Sequence, residues 1–191
     1  MLNGTGAILV ALQAGMSIES ISKSLKAFQG VGRRFTPLGS PGGVVCIDDY
    51  AHHPTEIKMA LLGARSITKG RVVAVMQPHR YSRLSHFFND FITCCQEADT
   101  VLITPVYGAG EDPLPLTHQE LYEAMAQTRA PQSVYALKDQ KDLFPLVQSL
   151  CQPGDTLIFM GAGSISSWAK EVVALWHEAL ECAPLKSVVN F

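Results

Sequence analysis

Two runs of this chain, Val72-Val73-Ala74-Val75-Met76 and Leu157-Ile158-Phe159-Met160, are apolar at every consecutive position. A strand with one wet face alternates apolar and polar residues, so a run with no polar position reads as a strand covered on both faces. Strands of that kind belong to parallel sheets, whose crossover connections lay helices over each face. Shorter strand-like stretches recur at residues 35–38, 44–48, 100–104 and 133–136, with helical patterns near 54–67, 83–97, 117–128, 139–150 and 164–182. Strand and helix in alternation, joined by right-handed crossovers, predict an α/β fold: a Rossmann-like, mostly parallel sheet of about six strands with helices on both faces. The first strand reaches the second through Gly39-Ser40-Pro41-Gly42-Gly43, a hairpin-forming sequence that allows one antiparallel strand.

Ahead of this pattern, residues 5–14 and 17–28 read as two short helices joined at Gly15, with Ile18, Ile21, Leu25 and Phe28 at helical spacing. Two helices of this size cannot make a core alone. Gly30-Val31-Gly32-Arg33-Arg34-Phe35 then breaks the periodicity, and a domain boundary is placed there, giving units 1–32 and 33–191. Leu2-Asn3-Gly4 enters the first helix with no preceding strand or cap, which reads as a start inside a larger protein. Residues 184–191 are expected to fray or to dock at the surface. Fifteen Lys and Arg against 17 Asp and Glu leave a net charge of −2, so nothing electrostatic favours nucleic acid or an anionic membrane. The apolar run from Ala7 to Leu12 falls far short of the roughly 20 residues that span a bilayer. Five cysteines with no framework spacing point to buried thiols in a reducing, cytoplasmic setting.

Chemistry concentrates where strands end, the place where ligands bind in open α/β sheets. After Val44–Ile47 come Asp48-Asp49-Tyr50-Ala51-His52-His53-Pro54-Thr55-Glu56, with Pro54 suited to the first turn of a helix. The next strand ends in Gln77-Pro78-His79-Arg80-Tyr81-Ser82-Arg83. With a helix starting near Tyr81, Arg80 and Arg83 sit near its N-terminus, where the backbone potential and two guanidinium forks favour carboxylates or phosphates. A third loop, residues 104–113, carries Tyr107 and Glu111, and a fourth, Gly161-Ala162-Gly163-Ser164, permits close backbone approach with Ser164 able to cap the following helix. A metal centre built on His52, His53, Asp48, Asp49 and His79 is disfavoured, because neighbours in sequence point apart and no convergent ligand spacing occurs. Neither a nucleophile elbow nor a Walker-type phosphate loop is present in the sequence.

Four ordered segments, Phe28-Gln29-Gly30-Val31-Gly32-Arg33-Arg34-Phe35, Asp48 to Ile57, Gln77 to Arg83 and Ala109-Gly110-Glu111-Asp112-Pro113, make the chain resemble the Mur ligases of peptidoglycan synthesis. The Gln-Pro-His-Arg-Tyr-Ser-Arg segment resembles the branch of the family that joins L-alanine to UDP-N-acetylmuramate. The resemblance implies the last helices of a central ATPase domain followed by the whole C-terminal domain. N-terminal and central domains would then be missing partners, and ATP and Mg2+ would be bound mainly by the central one. It further implies that Arg34, Asp49 and Tyr50 meet the ATP ribose and base edge, that His52 approaches the terminal phosphates, and that His79, Arg80 and Arg83 hold substrate carboxylates. Tyr107 and Glu111 would line the amino-acid side. Lacking the phosphate loop, the chain is expected to be inactive alone. The alternative is a non-catalytic nucleotide- or partner-binding module.

Overall fold

The computed structural model describes residues 2–28, 30–128 and 133–182, and the chain divides into two compact units, Met1–Gly32 and Arg33–Phe191. The first unit is α1 (Leu2–Gln13) and α2 (Ile18–Ala27). Ser17 caps α2, its hydroxyl accepting the Ser20 amide at 3.2 Å. Of the described apolar side chains in this unit, Ile21 is buried, whereas Leu9, Val10, Met16, Ile18, Leu25 and Phe28 are exposed. Apolar side chains thus face outward from both helices.

The second unit holds one sheet of six strands: β1 (Thr36–Gly39), β2 (Val45–Asp49), β3 (Val72–Met76), β4 (Thr100–Ile103), β5 (Val134–Ala136) and β6 (Thr156–Met160). Their order is β1-β2-β6-β3-β4-β5. Only β1 runs antiparallel, pairing Thr36 with Asp48 across a short glycine-rich hairpin, and every other neighbour is parallel. Among the described residues, six α-helices connect or follow the strands: α3 (Pro54–Ile67), α4 (Tyr81–His86), α5 (Phe88–Thr93), α6 (His118–Thr128), α7 (Leu143–Leu150) and α8 (Ile165–Cys182).

The continuously apolar strands divide their side chains between two cores, as a period of two requires. Ala74, Met76, Ile103 and Ile158 join Leu61 of α3, Phe91 of α5 and Leu121 of α6 on one face. Val73, Val75, Leu102 and Phe159 join Val147 of α7 and Ala169, Val172 and Trp176 of α8 on the other. The chain steps from β2 to β3, β4 and β5 over the first face. It then returns under the second through α7 and inserts β6 between β2 and β3. Connections therefore diverge to opposite faces at the carboxyl ends of β2, β6 and β3, a topological switch point.

Local differences from the sequence pattern have physical causes. Phe35 is not in β1, because its φ of 52° turns the backbone left-handed just before the strand. The helix expected near 83–97 is two short ones broken at Phe87, whose φ of −111° and ψ of 26° leave the helical region. α7 is preceded by a 3-10 turn at Gln140–Asp142. The expectation for residues 184–191 lies outside the described residues. Among the described residues no helix is long and apolar enough to cross a membrane.

Candidate functional site

The turn from β2 into α3 is built around a carboxylate and two imidazoles. Asp49 is buried, and its two oxygens accept the Phe35 amide and the Ala51 amide, each at 2.7 Å. Its role in this geometry is to hold the turn, so both oxygens are already engaged with backbone. His53 is the N-cap of α3, its Nδ1 accepting the Thr55 amide at 3.3 Å. Glu56 reaches back to accept the His52 and His53 amides at 3.1 and 3.3 Å. That is a capping box with imidazole in the place usually taken by a hydroxyl. Burial pushes the Glu56 carboxyl up, but the two amides with the charges of His52 and Arg34 more than offset this and hold it below the usual carboxylate range.

His52 turns the other way from His53. Its Nδ1 lies 2.8 Å from the Tyr50 carbonyl and 3.4 Å from Glu56 Oε2. Both neighbours are acceptors, which assigns the proton to Nδ1 and leaves Nε2 for a ligand. The His52 ring meets His79 edge-on at 5.4 Å, while His53 packs against Phe87 at 4.5 Å. Among the described residues no three His, Cys, Asp or Glu side chains converge as a metal shell.

Beyond β3, the backbone of His79 pairs with that of Tyr107 as an isolated parallel bridge. The Arg80 amide donates to the Tyr107 carbonyl, and the Tyr107 amide to that of Pro78, both at 2.8 Å. This extends β3 and β4 past their ends and stacks His79 on Tyr107, ring centres 5.5 Å apart and planes 19° from parallel. One turn on, Arg83 Nη1 lies 3.4 Å from His79 Nδ1; a guanidinium can only donate, so that nitrogen accepts. Burial first, then the charges of His52, Arg83 and Arg80, keep the His79 imidazole below its ordinary pKa, with Glu111 opposing. Both this and the Arg83 donation to Nδ1 favour the neutral ring.

Glu111 caps α4: its carboxylate accepts the Ser82 amide at 3.0 Å and the Ser82 hydroxyl at 2.5 Å, and lies 3.6 Å from Arg80. These Ser82 hydrogen bonds hold its carboxyl below the usual range. Arg80 stands just before the helix with a left-handed φ of 70°, and Arg83 lies inside it. α4 starts at Tyr81, as expected, and so sets both arginines near its N-terminus, where Glu111 already takes the Ser82 amide.

Two residues at the site escaped sequence reading, Arg33 and Gln77. Arg33 donates from Nη2 to the Gly161 and Gly163 carbonyls at 2.8 and 3.4 Å, and its Nε lies 3.8 Å from buried Asp48. Arg33 and Arg34 both lie over the Tyr50 ring, at 5.0 and 5.2 Å. Gln77 is buried; it donates to Ser164 Oγ and accepts the Ile165 amide, each at 3.1 Å. The α8 cap expected from Ser164 is thus supplied by Gln77. Arg34, Asp49, Ala51, Thr55, Glu56 and Met59 line a cavity of about 380 Å³ beside Tyr50.

The structure thus brings Tyr50, His52, His79 and Tyr107 into one file of rings, with Arg34 at one end and Arg80, Arg83 and Glu111 beside the other. Three cations and two imidazoles with open edges suit anions and proton-bearing groups. Desolvation pushes the thiols of buried Cys46 and half-buried Cys151 up to about 12, which disfavours their thiolates. A doubly covered α/β sheet with this cationic and aromatic cluster at its switch point defines a Rossmann-like α/β domain.

A family profile described as "Mur ligase, glutamate ligase domain" matches residues 33–163, and the chain belongs to that family. Among curated relatives, the UDP-N-acetylmuramate–L-alanine ligase of Bartonella quintana is 49% identical over 179 residues, covering 92% of this chain and 36% of its own length. That of Methylobacterium nodulans is 46% identical over 182 residues, covering 93% of this chain and 39% of its own. The chain therefore spans less than two fifths of these relatives. The crystal structure of the Thermotoga maritima ligase MurC superposes with a TM-score of 0.76 at 24% identity, over 93% of this chain and 37% of that one, which speaks to the fold.

Proposed function

We propose that this chain is the C-terminal substrate- and ATP-closing domain of a cytoplasmic ligase joining L-alanine to UDP-N-acetylmuramate, preceded by the last helices of a central ATPase domain. The observation that carries it is the convergence of His52, His79, Arg80 and Arg83 at the switch point, in a family member whose relatives bear that activity. In this reaction the muramate carboxylate attacks the γ-phosphorus of ATP, forming an acyl phosphate and releasing ADP. The alanine amine then attacks the acyl carbon, forming the amide as phosphate leaves with the C–O bond electrons. The amine's surplus proton passes to a base.

Charge neutralisation and positioning dominate such transfers. His52, its Nδ1 hydrogen held by the Tyr50 carbonyl and Glu56, donates to a phosphate oxygen when Nε2 is protonated as well, as an imidazolium. Arg80 and Arg83 hold carboxylates, and neutral His79 offers an Nε2–H donor beside them, with Tyr107 and Glu111 shaping the amino-acid side. Arg34, which lies over the Tyr50 ring, lines the cavity suited to the ribose and base edge. Asp49 contributes by fixing the turn's geometry as well as by any ligand contact through its remaining lone pairs. Bound Mg2+ would supply neutralisation of the phosphate charge. Its ligands are assigned, by the family resemblance, mainly to the central domain.

The test is kinetic. In the full-length ligase, Arg83→Lys keeps the charge and loses the fork. A charge-assisted hydrogen bond is worth about 1.5–3 kcal/mol, so kcat/KM for L-alanine or UDP-N-acetylmuramate should fall at least about tenfold. The 191-residue chain alone should release no ADP with either substrate. Normal kinetics for the Lys variants of both arginines would remove the carboxylate assignment.

A further inference from the structure

The Gly161-Ala162-Gly163-Ser164 turn lies against the ring file without supplying a side chain to it. Gly163 is where the turn and Tyr107 meet. A Cβ built at Gly163 would lie 2.7 Å from Tyr107 Cδ2 and closer still to its Cγ, and 2.6 Å from Gln77 Oε1. Real Cβ atoms do not approach that closely, so any side chain here must displace one neighbour or both. Tyr107 cannot retreat as a unit, because its amide and carbonyl are pinned to Pro78 and Arg80. Gln77 is pinned at both ends of its amide by Ser164 and Ile165. The Gly163 carbonyl, in turn, accepts from Arg33. What remains free to move is the Tyr107 ring, which is 41% exposed and stacks on His79.

We propose that Gly163 is a positioning residue: its bare Cα is the shelf on which the Tyr107 ring rests, and this keeps Tyr107 stacked on His79 in the ring file. This rests on the ligase reading only for its catalytic consequence, since the geometry stands without it. The turn after β6 thereby acts on the carboxylate-holding end of the site through a contact between chain segments more than fifty residues apart. A methyl group at this position swings the Tyr107 ring outward, unstacks His79 and loosens the wall of the amino-acid side.

The experiment has two arms. In the 191-residue chain, the ring-proton resonances of His79 are followed by NMR in wild type, Gly163→Ala, Tyr107→Ala and the double variant. Gly163→Ala should move the His79 signals towards those of Tyr107→Ala, and adding it to Tyr107→Ala should move them little further. In the full-length ligase, the loss of one aromatic pair corresponds to about 2- to 12-fold, expected in KM for L-alanine with kcat changed less. Tyr107→Ala should reproduce that rise without any steric clash, so the inference stays testable even if Gly163→Ala folds poorly. Unmoved His79 resonances in Gly163→Ala overturn the positioning role. So does a Gly163→Ala effect equally large with and without the Tyr107 ring, which would place its action on Gln77. If the NMR arm holds while wild-type ligase fails to use L-alanine, the shelf stands and the ligase reading falls.

Discussion

Asp49 offers the most direct test of how this turn is held. The residue is 7% exposed and its carboxylate accepts two backbone amides at 2.7 Å, so little solvent stands ready to replace it. One of those amides belongs to Phe35, whose left-handed φ of 52° carries a strain of about 1–3 kcal/mol in a non-glycine residue. Replacement by Asn keeps the size and one acceptor but aims an NH2 group at a second N–H. Losing one charge-assisted bond costs about 1.5–3 kcal/mol, and Asp49→Ala, losing both, roughly twice that. Urea unfolding slopes of about 1–3 kcal/mol/M then put the midpoint roughly 1 M lower for Asn and further down for Ala. Hydrogen exchange adds a site-specific readout, because the Phe35 and Ala51 amides should lose protection ahead of those in β3. An unchanged midpoint in Asp49→Ala, with both amides still protected, would refute the view that this carboxylate is a structural clasp.

Other outcomes follow from the rest of the unit. Burial raises the Asp155 carboxyl, but the Arg71 amide and guanidinium and the Gln152 amide outweigh that and depress it below its usual value, so its stabilisation is present above about pH 4 and lost as pH falls through the folded value. Asp155→Asn should therefore flatten the decline of the urea midpoint below about pH 4, and an unaltered slope would count against it. Gly70→Ala should cost about 1–3 kcal/mol, because its Cβ would stand 2.6 Å from Asp155 Oδ1 and 2.9 Å from the Gly154 carbonyl; thermal unfolding reads this. In the isolated chain, amides of α1 and α2 should exchange faster than those of Val72–Met76, since Ile21 is the buried apolar side chain there against a fully buried strand. Equal protection would contradict that.

Much of the fold was legible because its signal is local. The consecutive apolar positions of β3 and β6 announce burial on both faces, and the glycine-rich link before Val45 announces the antiparallel hairpin. Breaks inside helices were not legible. Phe87 is apolar and fits a continuing helical stripe, yet its backbone leaves the helix where its ring packs against His53, thirty-four residues earlier in the chain. Propensity carries no record of that contact.

The site divides along the same line. Strand ends told where His52, His79, Arg80 and Arg83 would gather, because in a parallel sheet every carboxyl end faces the same way. They could not tell which groups would be consumed by structure. Asp49, read as a ligand group, clasps two amides; Glu111, read as lining the amino-acid side, takes the Ser82 amide 29 residues away. Gln77 caps a helix 88 residues on, and Arg33 reaches the Gly161 carbonyl across 128. The Gln77 and Arg33 pairings both reach the turn after β6, so they exist only once β6 has inserted between β2 and β3. The insertion that creates the switch point also decides which polar groups it leaves free. His52 Nε2 and the Arg80 and Arg83 guanidinium groups are where a ligand has the least existing structure to displace, and substitutions there should alter ligand use more than folding.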